Sequence, residues 1–392
     1  MEPRFSARLT ALQASPIRQI LAVANRPHMI SFAGGLPARE CFPSFDLKVP
    51  PAVLQYGPTE GDDALRERLC EDLVQLGLPV TTDQIVILSG SQQGIDLVAK
   101  LFIDAGTCVA SESPTYLAAL QVFRFFGARF APFTAADVEN GNPFRERPAF
   151  AYVIPTFQNP TGYCYSDAER KALSRACDRE TIPVFEDDPY RDLAYDPCDR
   201  RPVCAYLQKS PWIYQGSFSK TLAPGLRLGF LAASQMLVPH LVRLKQAADL
   251  HSNRLSQWLV LDALKHPDRE ARLAAIVEMY RRKRDTFDRV LHEYFSDLAH
   301  WEKPRGGLFF WLQLKVPIDT RLLLDSTLAH GVTFMPGEPF YVGSSPRPTA
   351  TLRLAFTHAS EPEALSGLKI LSAQLRRFRD EACVTNRALS NP

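Results

Sequence analysis

In "GDDALRERLCEDLVQLG" the apolar residues Leu65, Leu69, Leu73 and Leu76 fall three or four positions apart, and this spacing predicts a helix. The pattern then changes. "QIVILSG" is apolar throughout and predicts a strand that ends at small residues, and "SQQGIDLVAKLFIDAG" continues as a helix closed by Gly106. The alternation goes on through the strand "CVASE", the helix around "YLAALQVFRFFG", the strands "ARFAPF" and "AFAYVIP", the helix "DAERKALSRACDRE" and the strand "IPVFEDD". "WIYQGSFS" and "LRLGFLAAS" predict two more strands. Strands that are apolar along their whole length, separated by helices, indicate a mostly parallel sheet covered by helices on both faces.

After Met236 the texture changes to long helices, "LVPHLVRLKQAADL", "SQWLVLDALKH" and "REARLAAIVEMYRRKRDTFDRVLHEYF". The strand "GGLFFWLQL", the helix "TRLLLDSTLAHG", the strands "VTFMP" and "TATLRLAF" and the helix "EPEALSGLKILSAQLRRF" follow. The fold class expected is therefore α/β, a large domain with a central sheet plus a smaller α+β domain. We divide the chain into an N-terminal arm and part of the small domain (1–45), a large domain (46–285) and a small C-terminal domain (286–392).

Composition changes this picture little. The 392 residues carry 45 Lys and Arg against 43 Asp and Glu, a formal net charge of +2, so neither a nucleic-acid-binding face nor an acidic tail is implied. Arg4, Arg8, Arg18 and two prolines interrupt the N-terminus, which has neither a signal-peptide core nor a membrane-spanning length of apolar residues. A cytoplasmic location without membrane contact is the expectation. The 8 cysteines are scattered, with no CxxC or Cys/His ligand spacing, and read as reduced thiols rather than a disulfide frame or a metal site.

Candidate chemistry gathers at strand ends. In "YQGSFSKTLAPGLRLGF" (Tyr214 to Phe230) two apolar runs flank Ser217, Ser219, Lys220 and Arg227 with no carboxylate between them, so a negative charge must come from elsewhere. "SGSQQG" places Gly90, Ser91 and Gln92 where a helix opens, and helix N-termini suit phosphate, although Ser and Gly there also serve as ordinary caps. "FQNPTG" (Phe157 to Gly162) is a turn sequence. "VFEDDPY" runs an apolar strand into Glu186, Asp187, Asp188 and Tyr190; capping accounts for one such acid but hardly for three, and the carboxyl ends of strands are where open α/β sheets bind ligands.

In this order and spacing, the motifs resemble the fold type I pyridoxal 5'-phosphate (PLP) enzymes. The match is to the aminotransferase class I/II family and, within it, the branch of 2-aminoadipate and kynurenine aminotransferases. The resemblance covers nearly the whole chain, from "SPIR" (Ser15 to Arg18) through "ISFAGGLP" and "LQYGPTEG" to "LRLAFTHAS". It implies that Lys220 forms the Schiff base with PLP and later carries the proton from Cα, and that Ser217, Ser219 and Arg227 grip the cofactor phosphate with Gly90, Ser91 and Gln92. It also implies that Asp187 pairs with the pyridinium nitrogen, that Asn159 and Tyr190 hydrogen-bond the phenolic oxygen, and that Tyr116 stacks on the ring. Tyr56 matches a tyrosine that reaches the phosphate of the neighbouring subunit, so a homodimer is expected.

For the substrate, Arg353 would clamp the α-carboxylate, with Asn159, Gly35 and Arg18 beside it. The reaction implied is a ping-pong transfer of an amino group from an L-amino acid to a 2-oxo acid, with 2-aminoadipate, aromatic and aliphatic donors plausible. A PLP lyase, decarboxylase or oxidase would use the same residues. A ligand-sensing regulator would need a winged-helix domain, for which the roughly thirty residues before "ISFAGGLP" are too few. The chain departs from the branch at Thr107 and Ser113, where acidic residues are more usual, and at His251, Asn253 and Arg254. The first departure reads as a turn substitution. The second bears on substrate choice, since an added cation or imidazole would favour an acidic or polar substrate.

Overall fold

The structure, a computed structural model, describes residues 5–11, 28–45, 48–343 and 348–389. A two-residue strand, β1 (Ile30–Ser31), precedes the main sheet. The sheet's strands follow as β2 (Ile85–Leu88), β3 (Cys108–Glu112), β4 (Arg129–Phe133), β5 (Phe150–Val153), β6 (Val184–Asp187), β7 (Trp212–Ser217) and β8 (Gly229–Ala233). They form a seven-stranded sheet in the order β2-β8-β7-β6-β5-β3-β4. β4, β3, β5, β6 and β7 pair in parallel, and β8 runs antiparallel to both β7 and β2. β2 thus points the same way as the parallel strands, and its carboxyl end joins theirs along one edge of the sheet.

The helices that accompany these strands are α1 (Asp63–Gln75), α2 (Ser91–Phe102), α3 (Leu117–Phe125), α4 (Ala135–Glu139), α5 (Asp167–Glu180), α6 (Val238–Asp249) and α7 (Arg254–Lys265). Strand side chains alternate faces, so Ile85 and Ile87 join one core with Leu65, Leu173 and Val260, while Val86 and Leu88 join the other with Ile95, Phe123 and Leu241. Burial on both faces explains why β2, β3, β5, β6 and β8 are buried at every residue.

The rest of the described chain forms a second layer. It comprises α8 (Arg269–Phe295), β9 (Ala299–His300), β10 (Phe309–Leu314), α9 (Thr320–Ala329), β11 (Val332–Thr333), β12 (Met335–Pro336), β13 (Thr351–Ala355) and α10 (Glu361–Leu389). A four-stranded sheet runs β12-β13-β10-β9, and β1 pairs in parallel with β11, which ties the N-terminal segment to this layer. Its core includes Phe32, Phe287, Phe310, Phe356 and Leu371. α8 passes unbroken through residue 285. The single strand expected over "VTFMP" divides at buried Phe334, because Val332–Thr333 bonds β1 whereas Met335–Pro336 bonds β13. Among the described residues no helix is long and apolar enough to cross a membrane.

Candidate active site

Five loops leave the carboxyl edge of the sheet, after β2, β3, β5, β6 and β7, and they enclose a cavity of about 150 Å³. The first four bring Ser91, Gln92, Tyr116, Asn159, Asp187 and Tyr190 to its wall, and the loop after β7 adds Ser217, Ser219, Lys220 and Arg227. Residues spread over more than a hundred positions meet here because parallel strands present their loops on one side.

The N-cap of α2, Gly90 at φ +83°, makes no side-chain bond to the first turn of the helix. Ser89 Oγ instead donates to Asp249 Oδ2 at 2.8 Å. The N–H groups of Ser91 and Gln92 therefore keep their donor capacity at the positive end of the helix dipole, while Gln93 N donates to Gly90 O at 3.1 Å. Arg227, itself at φ 47° after a short turn, lies close over this start: a Cβ on Gly90 would come within 2.7 Å of its Nη2.

Lys220 Nζ donates to Gly35 O at 2.9 Å. Its side chain stays partly open to the cavity, but protein surrounds it on the other sides. This desolvation, with Arg353 and Arg227 nearby, lowers its pKa from 10.5 to about 8. Arg353, on β13, is 3 % exposed. Its Nη1 donates to Asn159 Oδ1 and its Nη2 to Ala33 O, each at 2.6 Å, while Nε has no partner among the described residues. Phe309 and Phe340 lie 4.2 and 5.0 Å from the guanidinium carbon, ring centroid to carbon. Burial lowers Arg353 to about 10, still charged at neutral pH. Among the described residues no carboxylate forms an ion pair with Lys220, Arg227 or Arg353.

The carboxylate of Asp187 faces the cavity from the end of β6. Only 4 % of the residue is exposed, and burial pushes its pKa up to about 6. Tyr152 donates its hydroxyl to one carboxylate oxygen at 2.8 Å and Gln215 Nε2 donates to the other at 2.9 Å. Tyr152 and Gln215 escaped the sequence reading, although Gln215 stands beside Asp187 in the β6–β7 register. Gly94 belongs with them: a Cβ there would sit 1.8 Å from Gln215 Oε1. Asn159 Nδ2 donates to Tyr190 Oη at 3.4 Å, and Tyr190 packs edge-on against Phe309.

The remaining expected residues are distributed differently. Gly35 meets the site through its carbonyl, and a Cβ on it would strike Phe309 at 2.5 Å. Tyr56 lies outside this cavity, 76 % exposed, with His251 edge-on at 5.7 Å. Arg18 lies outside the described residues. Arg254 is not the free cation considered above: it pairs with Asp62 at 2.8 Å and donates to the carbonyls of Ala52, Gln55 and Tyr56. Asn253 caps α7 through Ser256 N. Thr107 accepts from Asp104 N, three residues before it, whereas Ser113 accepts from Val342 N across the two layers.

The profile of the family described as "Aminotransferase class I and II" matches residues 45–367. The chain is 34 % identical over 396 residues to an aromatic-amino-acid aminotransferase of Thermococcus litoralis, covering 96 % of this chain and 94 % of that one. It is similar in structure to an α-aminoadipate aminotransferase of Thermus thermophilus complexed with N-(5'-phosphopyridoxyl)-L-leucine, with a TM-score of 0.86 at 34 % identity, covering 96 % and 98 % of the two chains. A kynurenine aminotransferase of Pyrococcus horikoshii in complex with PMP also superposes with a TM-score of 0.86, at 31 % identity and with 95 % and 97 % coverage.

Proposed function

We propose that this chain, which belongs to the aminotransferase class I and II family and is a PLP-dependent aminotransferase, moves the amino group of an L-amino acid to a 2-oxo acid in the cavity around Lys220. The observation that carries the reading is a set of three cations, Lys220, Arg227 and Arg353, with no bonded carboxylate among the described residues, opposite the buried carboxylate of Asp187. A phosphate and an amino-acid carboxylate supply the missing negative charge, and a pyridinium nitrogen supplies the cation that Asp187 lacks.

These residues suit PLP. Gly90, Ser91 and Gln92, with Ser217, Ser219 and Arg227, would hold its phosphate, and the planar guanidinium offers several donors to phosphate oxygens. Asp187 would hold the ring nitrogen, Asn159 and Tyr190 the phenolic oxygen, and Tyr116 the ring face. When bound, PLP acts as the electron sink for the charge left on Cα. With its pKa near 8, Lys220 Nζ keeps a useful neutral fraction, and as a base it takes the proton from Cα and returns it. Arg353 Nε, unpartnered and buried, and Nη2, on the same edge of the guanidinium, would take the two oxygens of the substrate α-carboxylate, Nη2 by releasing Ala33 O.

The donors we infer are aromatic and aliphatic amino acids and 2-aminoadipate, on the strength of the relatives' substrates. We assign Tyr56, exposed in its own subunit, to the site of a second copy in a homodimer. The test is a spectroscopic screen of amino donors against 2-oxoglutarate and pyruvate, with borohydride fixation of the cofactor followed by peptide mapping. The cofactor is expected on the Lys220 peptide, and the donor alone should convert it to its amine form. Cofactor on another lysine, or release of ammonia or CO2 in place of amino transfer, overturns the reading.

A further inference from the structure

Arg170, on α5, is fully buried at 0 % exposure, yet no carboxylate bonds it among the described residues. Its Nε donates to Tyr165 O at 3.0 Å and its Nη1 to Arg201 O at 3.2 Å. Nη2 serves Pro155 O, Asp199 O, Thr156 Oγ1 and, at 3.6 Å, Cys164 Sγ. A guanidinium withdrawn from water calls for an anion. Of the groups it bonds, only the Cys164 thiol ionises readily. Glu112 and Glu186 feel the charge from further off, but they accept from Ile154 N and Cys204 N, and burial pushes both up to about 7.

A second thiol stands beside the same sulfur: Cys164 Sγ reaches Asp199 O at 3.4 Å, next in sequence to Cys198, and the two thiols shift one another's pKa. Both cysteines are partly exposed, and both line a cavity of about 630 Å³ beside the turn that carries Asn159. The carboxylates around them are engaged elsewhere. Glu169 accepts from Ser166 and Tyr163, and Asp199 accepts from Asp167 N.

We propose that Cys164 and Cys198 form a redox-active pair in which Cys164 reacts with a peroxide and Cys198 resolves the product to a disulfide. The Cys164 thiolate attacks one oxygen of hydrogen peroxide and breaks the O–O bond. The sulfur becomes a sulfenic acid, and the leaving hydroxide takes up the proton that Cys164 gave up, forming water. Cys198 sulfur then attacks Cys164 sulfur, loses its own proton and releases a second water. The two thiols give up two electrons, and the peroxide takes them. The neighbouring Cys198 thiol lowers Cys164 to about 7 against the cost of burial, with help from Arg170, while Cys164 in turn raises Cys198 and keeps it protonated until it attacks.

The experiment treats the PLP-loaded enzyme with one equivalent of hydrogen peroxide, digests it without reductant and maps the peptides by mass. The expected product links Cys164 to Cys198 and is two hydrogens lighter than the separate thiols. Cys198→Ser should stop at a sulfenic acid on Cys164, captured by a 1,3-diketone probe. At pH 7, iodoacetamide should alkylate Cys164 roughly tenfold faster than Cys70, the third partly exposed thiol among the described residues. No linked peptide from an enzyme that still transaminates, or equal alkylation of Cys164 and Cys70, overturns the proposal.

Discussion

Lys220 is held where its charge is unwelcome, and the sign of that effect is measurable. In the unfolded chain its amine keeps its proton up to about 10.5, whereas in the folded apoprotein it loses it near 8. Between those values the unfolded chain binds more protons, so the contribution of this group to stability rises with pH across that window. At pH 7 the full cost of the buried charge is present. Lys220→Met should therefore raise the thermal midpoint of the apoprotein at pH 7, and its advantage over wild type should shrink as the pH approaches 10.5. Calorimetry that finds an equal or lower midpoint for the variant contradicts this. With PLP added, Lys220→Ala should lower amino-transfer turnover by about 10²–10⁴-fold or more while still retaining cofactor by absorbance.

Between elements, the contact of α2 with β7 governs Asp187. Gly94 leaves room for Gln215, and Gln215 holds the carboxylate. Gly94→Ala should push Gln215 aside and weaken PLP binding about tenfold, the range of one hydrogen bond to a charged group. Gln215→Ala should cost a similar amount, and the double variant little more, because both act on one contact. Additive losses in a fluorescence titration of the apoenzyme would show that Gly94 acts elsewhere. The same contact shows what the sequence discloses. Ser217, Ser219, Lys220 and Arg227 are legible because they crowd into one loop, and "CVASE" and "DAERKALSRACDRE" because their periods are unbroken. Tyr152, Gln215 and Gly94 are not, since only the register between strands and the packing of α2 on β7 set them around Asp187. The division of "VTFMP" depended likewise on β1, distant in sequence, and the role of Arg254 on Asp62 and three carbonyls.

For the whole molecule, Arg254 fixes the segment that displays Tyr56, and Leu54 beside it is 73 % exposed. If that face meets a second copy, Arg254→Ala should raise the dissociation constant for PLP and shift sedimentation toward monomer together. Weakened cofactor binding with an unchanged assembly would separate the two roles and count against a shared site. The cavity itself has a practical consequence. Positive groups that lack a counter-charge of their own take whichever anion is at hand, so inorganic phosphate or sulfate in a buffer should compete with the coenzyme for Arg227 and the start of α2. Reconstitution then becomes an exchange of one oxyanion for another. The PLP concentration giving half-saturation should climb in proportion to added phosphate, and should move little with chloride at matched ionic strength.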